Sequence, residues 1–314
     1  MKLFLFLFAF LTSVASASPY RIVTTTGMIA DITREIAKDK ANVVCLMQAG
    51  VDPHLYKPTR TDIATLSQAD IVFYNGLLLE GKMTDALIRV AMAGKKVFAV
   101  TERIDKSYLL EPKEFQGHYD PHVWMDPNAW LIAAKFIHQQ LVEYDRDNTE
   151  QYTENLKIYS EQLLKLSHYA ENALNSVPEK SRVLITAHDA FNYFGRRFNF
   201  DVRGIQGIST ESEAGVKDIE QLVKLIVERN IKAVFIESTV SQKNINALIE
   251  GSKAAGHSVK IGGQLFSDAM GIEGTYEGTY IGMIDHNVTT IARALGADLN
   301  PKGMQGKLSV EIQK

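Results

Sequence analysis

Apolar and polar positions alternate along this chain in two similar blocks, divided by one long helical seam. In the first block, β-branched and aromatic runs over residues 20–26, 42–47, 70–74 and 96–100 read as strands. Between them fall helical patterns: Ile29, Ile32 and Ile36 share one face, and Thr59 or Thr61 can cap a helix carrying Ile63 and Leu66. Pro127 suits the first turn of a further helix, with Trp130, Ala134, Ile137 and Leu141 on one stripe. The second block repeats the alternation. Strands are expected over residues 182–186, 202–205, 233–236 and 259–261. Helices are expected over 216–228 and 244–255, with a last one through Met283, Val288 and Ile291. Strand and helix in turn at this spacing mean parallel pairing through crossover helices.

Residues 148–175 contain neither glycine nor proline, and Tyr152, Leu156, Tyr159, Leu163, Leu166 and Ala170 recur at alternating steps of four and three. Such a helix would be roughly 42 Å long, more than one small domain needs. Asn148 with Gln151 has the spacing of a capping box, and Pro178 ends the segment. A coiled-coil dimer is the rival to a strut crossing both blocks, but the seam is short and built mostly of Tyr, Leu and Ala. The expected fold is therefore α/β: two lobes, each a mostly parallel sheet flanked by helices, joined by one long backbone helix. The expected divisions are a leader over 1–17, an N-terminal lobe over 18–147, the linking helix over 148–177 and a C-terminal lobe over 178–314.

The leader is read from Lys2, the apolar run 3–11 and small residues around Ala15-Ser16-Ala17. No segment is long and apolar enough to span a bilayer, so direct membrane insertion is not expected. Net charge is −3 over 314 residues, which argues against a nucleic-acid partner. The one cysteine, Cys45, lies in an apolar strand pattern and reads as a small buried hydrophobe. No cysteine stands near the cleavage point, so a lipid anchor is not expected, and the mature chain reads as exported, periplasmic and monomeric.

Candidate chemistry lies where strands end. Asp52-Pro53-His54 recurs as Asp120-Pro121-His122. Proline restricts its own φ and the residue before it, so each tripeptide is a rigid corner presenting an imidazole. His188 and Asp268 also follow predicted strands, two candidates in each lobe. Ligands of open α/β sheets bind outside the carboxyl ends of the strands, so facing lobes would bring three imidazoles and one carboxylate together. That set suits a divalent transition metal: tetrahedral if Asp268 gives one oxygen, five-coordinate if it gives two. Asp120, Asp126, Glu211 and Glu237 are candidate acceptors for orienting the rings. His118 reads as an exposed loop histidine. Imidazoles bind metal only when neutral, so release is expected as pH falls through about 6. The stretch Gly76-Leu77-Leu78-Leu79-Glu80-Gly81-Lys82-Met83 mimics a phosphate loop, but Met83 replaces its magnesium-binding hydroxyl and its leucines suit packing.

These segments resemble the zinc/manganese-binding solute-binding proteins of bacterial metal ABC importers, the cluster A-I family. The resemblance rests on Gly50–His54, Tyr74-Asn75-Gly76-Leu77 with Leu79-Glu80-Gly81, the run from Asp120 to Pro127, His188-Asp189-Ala190-Phe191 and Leu265-Phe266-Ser267-Asp268. It implies metal ligands at His54, His122, His188 and Asp268. It also implies zinc or manganese as cargo, with iron possible, and delivery to a membrane permease. Three other readings stand beside it. One is a zinc-dependent hydrolase using the three histidines, although no G-x-S-x-G or H-E-x-x-H motif occurs. Another is a metal-binding adhesin active in cell adhesion, and the third a binder of chelated iron or cobalamin.

Overall fold

The computed structural model describes residues 19–309. The expected leader therefore lies outside the described residues. Among them no helix is long and apolar enough to cross a membrane.

Four parallel strands form the N-terminal sheet: β1 (Tyr20–Thr24), β2 (Ala41–Cys45), β3 (Ile71–Tyr74) and β4 (Lys96–Ala99), in the order β2-β1-β3-β4. β1 is central, with Ile22 opposite both Val43 and Ile71. The crossovers carry α1 (Gly27–Ala37), α2 (Arg60–Ser67) and α3 (Thr84–Met92). Thr59 caps α2 through a complete capping box with Asp62. A long loop then leads to α4 (Pro127–Tyr144) and α5 (Thr149–Asn175).

α5 is a strut of 27 residues. Its seam residues Tyr152, Tyr159, Leu163, Leu166 and Ala170 are fully buried, facing α1 and α4 early in the helix. Asn155 donates to the carbonyl of Ile36, while further along Tyr169 bonds Thr289 in the second lobe. The seam is thus covered within the chain, which removes the reason for a coiled coil. The expected cap at Asn148 is not made. A 3-10 turn (Arg146–Asn148) runs straight into α5, so Asn148 lacks the extended backbone of an N-cap, and its amide donates to Asp145 while Gln151 reaches Asp39.

The second lobe contains β5 (Val183–His188), α6 (Asn192–Phe198), β6 (Asp201–Gln206), α7 (Val216–Glu228), β7 (Ala233–Glu237), α8 (Lys243–Ala254), β8 (Lys260–Leu265) and α9 (Tyr280–Ala294). Its ladders form two parallel pairs, β5–β6 and β7–β8, with β5 and β7 side by side. β8 runs past the expected end at residue 261. A register shift at Val234/Phe235 accommodates Gly262 and Gly263, where a Cβ on Gly262 would sit 2.8 Å from the Phe235 ring. Glycine hides a strand from propensity while permitting such a close approach. One continuous core joins the lobes through α1, α4, α5 and α9; smaller clusters lie behind each sheet.

Candidate metal centre

The repeated Asp-Pro-His corner folds the same way twice. Asp52 Oδ1 accepts the backbone N–H of His54 at 2.8 Å, and Asp120 Oδ1 accepts that of His122 at 2.9 Å. Each aspartate thus closes a turn onto its own chain, a local device its short side chain allows. The two then diverge. Asp120 also accepts from the ring Nδ1 of His122 at 2.7 Å, whereas Asp52 turns its other oxygen across the cleft to the Thr210 hydroxyl at 2.5 Å.

His188 is the last residue of β5 and Glu237 the last of β7. Adjacency of these strands lets Glu237 accept both the backbone N–H and the Nδ1–H of His188, at 2.8 and 2.5 Å. Asp268 follows β8. Its carboxylate has no backbone or hydroxyl donor; both oxygens are orphaned and meet only the three rings.

Those rings and that carboxylate converge. One donor atom from each of His54, His122, His188 and Asp268 lies within 4.8 Å of all the others. His54 Nε2 is 3.3 Å from His122 Nε2, and Asp268 oxygens lie 3.3 Å from His122 Nε2 and 3.2 Å from His188 Nε2. The four residues are 0–4% exposed, with His54 at 4% and Asp268 at 2%. A buried orphan polar atom costs about 1–3 kcal/mol, so a buried cluster of them suits a bound cation.

Electrostatics separate the histidines. Burial pushes the His54 imidazole down to about 3, since it has no carboxylate behind it. Burial also opposes charge on His122, but Asp120 and Asp268 outweigh it and raise the ring to about 9. His188 is likewise desolvated, yet Glu237 and Asp268 carry it well above the usual range. Asp268 is buried as well, and the His188 and His122 rings hold it well below the carboxylate range.

Of the four candidate orienting acids, Asp120 touches the His122 ring and Glu237 the His188 ring. Asp126 instead caps α4 at the Asn128 N–H and accepts from the Tyr108 hydroxyl. Glu211 pairs with Lys82 at 2.7 Å across the cleft rim. His118 is exposed beside Phe115. In the phosphate-loop mimic the buried Glu80 carboxylate accepts the N–H groups of Asn75 and Gly76, so an anion of the protein already fills that turn. Trp124 and Asn287 bond the main chain just before Asp268, and Tyr280 bonds the Trp124 carbonyl, none of them having stood out in the sequence as a candidate. Trp124 lies inside the motif carrying His122, while nothing local marks the other two.

The family described as "ZnuA: Zinc-uptake complex component A periplasmic" matches residues 22–294. The manganese-binding lipoprotein MntA of Bacillus subtilis (strain 168) is 46% identical over 275 residues, covering 88% of this chain and 89% of its own. The solved periplasmic zinc binding protein TroA from Treponema pallidum is 44% identical, with a TM-score of 0.86, over 88% of this chain and 99% of that one. The Fe(III)-bound YtgA from Chlamydia trachomatis superposes with a TM-score of 0.80 at 26% identity, over 89% and 99%. With its match spanning both lobes and all four converging residues, the chain belongs to the ZnuA family of periplasmic zinc-uptake components.

Proposed function

We propose that this chain is a periplasmic carrier that binds one divalent transition-metal ion, zinc or manganese with iron also accepted, and delivers it to the membrane permease of an ABC importer. The observation that carries this reading is the buried meeting of three ring nitrogens and one carboxylate, from two facing lobes, with orphaned donor atoms at its centre. The metal is cargo, and His54, His122, His188 and Asp268 are its ligands. Asp120 and Glu237 orient two of the rings and fix their tautomers.

Both Asp268 oxygens face the rings and neither is held elsewhere, which supports a five-coordinate N₃O₂ site. Manganese and iron accept that number readily, and zinc binds with one oxygen or both. The names of the relatives span the same metals: manganese for MntA, zinc for TroA and iron for YtgA. Affinity should nevertheless follow the intrinsic order, with zinc above manganese.

A carrier fits better than a hydrolase because Asp268 takes the position that a catalytic zinc keeps open for water. The working units are lobes 18–147 and 178–314 about the helix 148–177, and the core they share limits their opening to small movements. With export through the leader expected over 1–17, the chain acts as a monomer in the periplasm. Elemental analysis of the native protein, with zinc and manganese titrations of the metal-free form, tests the reading. One tightly held ion per chain is expected, and a protein binding neither metal would refute it.

A further inference from the structure

Three of the four ligands are steered by hydrogen bonds close to the side chain or to its own N–H. Asp268 has no such partner on its carboxylate, so its placement depends on the main chain before it. Bonds from both lobes hold that chain, and within the C-terminal lobe the Thr239 and Ser267 hydroxyls pair at 3.2 Å. Asn287 on α9 clamps Phe266, accepting its N–H at 2.9 Å and donating to its carbonyl at 2.7 Å, within the C-terminal lobe. One further anchor crosses the cleft: the indole N–H of Trp124 donates to the Ser267 carbonyl at 2.9 Å.

Trp124 stands two residues after His122, and Ser267 directly precedes Asp268. The crossing is reciprocated. Tyr280, the first residue of α9, donates its hydroxyl to the carbonyl of Trp124 at 2.7 Å, and its own N–H goes to Asp31 on α1 at 3.1 Å. Trp130 stacks on Tyr280 at 5.8 Å between centroids. Trp124, Trp130 and Tyr280 are fully buried, so water does not compete for these bonds.

We propose that Trp124 and Tyr280 are positioning residues that clasp the ligand segments of the two lobes together, and so decide whether Asp268 presents one oxygen or two to the metal. With the clasp closed, both oxygens reach the rings, as the 3.2–3.5 Å separations show. With it loosened, the peptide before Asp268 keeps only the anchors of its own lobe, from Asn287 and Thr239, and the carboxylate can draw back to one oxygen. Zinc is satisfied by three imidazoles and one oxygen; manganese, which prefers more oxygen ligands, is not. The clasp is therefore a determinant of metal preference.

This inference rests on the metal-carrier reading, and the experiment separates the two. Wild type, Trp124→Phe and Tyr280→Phe are stripped of metal and titrated with zinc and with manganese, and each is loaded with cobalt(II) for its visible absorption. Losing one buried hydrogen bond should weaken manganese binding about tenfold in Trp124→Phe, with zinc changing less than about threefold. Cobalt absorption should intensify as coordination falls from five to four. Tyr280→Phe should shift the same way by less, because it acts through the Trp124 carbonyl. It removes a single oxygen, so it carries the test if Trp124→Phe fails to fold. Equal losses for both metals, or an unchanged cobalt spectrum in a folded variant, would overturn the clasp alone. A wild type that binds neither metal would overturn the carrier reading beneath it.

Discussion

The two lobes supply matched pairs of candidate ligands by opposite means. Each gives one histidine backed by a carboxylate, His122 by Asp120 and His188 by Glu237, and one donor with no carboxylate behind it, His54 or Asp268. In the N-terminal lobe the backing acid stands two residues from its histidine, on a loop closed by proline. In the C-terminal lobe it stands 49 residues away, and only the adjacency of β5 and β7 brings it in. One arrangement is written locally and the other by topology, yet both end in an Nδ1–H held by a carboxylate.

The largest break in this symmetry should come from deleting a proposed ligand. His122→Ala or Asp268→Ala is expected to weaken zinc binding by on the order of 10²–10³-fold, since a four-donor site divides a binding free energy of roughly 10–16 kcal/mol. Competition with a chelator of known affinity measures it; a variant within a few-fold of wild type would show that the cluster is not the cargo site.

Proton release comes next. His122 lies up at about 9 and His188 is held well above the usual imidazole range, while His54 lies down at about 3. At pH 7 the first two therefore carry protons that the metal must displace, and the third carries none. Binding should release about two protons, one from each lobe, and tighten as pH rises toward about 9. The window reaches well above the pH of about 6 expected from unperturbed imidazoles. Calorimetry in buffers of differing ionisation enthalpy counts the protons, and Asp120→Asn should lower the count by about one.

Asp120→Asn and Glu237→Gln compare the two kinds of support directly. Each should cost about 10–100-fold in affinity. Losses within about threefold of each other would mean that local and topological supports are equivalent. The smallest effect is expected at the cleft rim, where Thr210→Val removes the hydroxyl that donates to Asp52. Metal release should quicken by about two- to tenfold in stopped-flow exchange, with equilibrium stability nearly unchanged.

Legibility in the sequence follows the same division. The Asp-Pro-His corners were readable because proline and a short acid act within three residues, and the α5 seam because burial recurs with the helical period. Three readings failed for physical reasons. The cap at Asn148 was pre-empted by a preceding 3-10 turn; Asp126 and Glu211 found nearer partners than the rings; β8 was cut short because its glycines carry no strand signal. Glu237 was one candidate among four until β5 and β7 were seen side by side.

By itself the sequence determined the order of elements, the two-lobed plan and which four side chains have ligand chemistry at strand ends, since period, proline and side-chain type act over a few residues. Only the tertiary structure decided that those four meet, that Asp268 turns both oxygens inward, and that Trp124 and Tyr280 reach across to the opposite lobe. The Trp124 and Tyr280 bonds join residues more than a hundred positions apart, and packing, which no local pattern encodes, sets all of these distances.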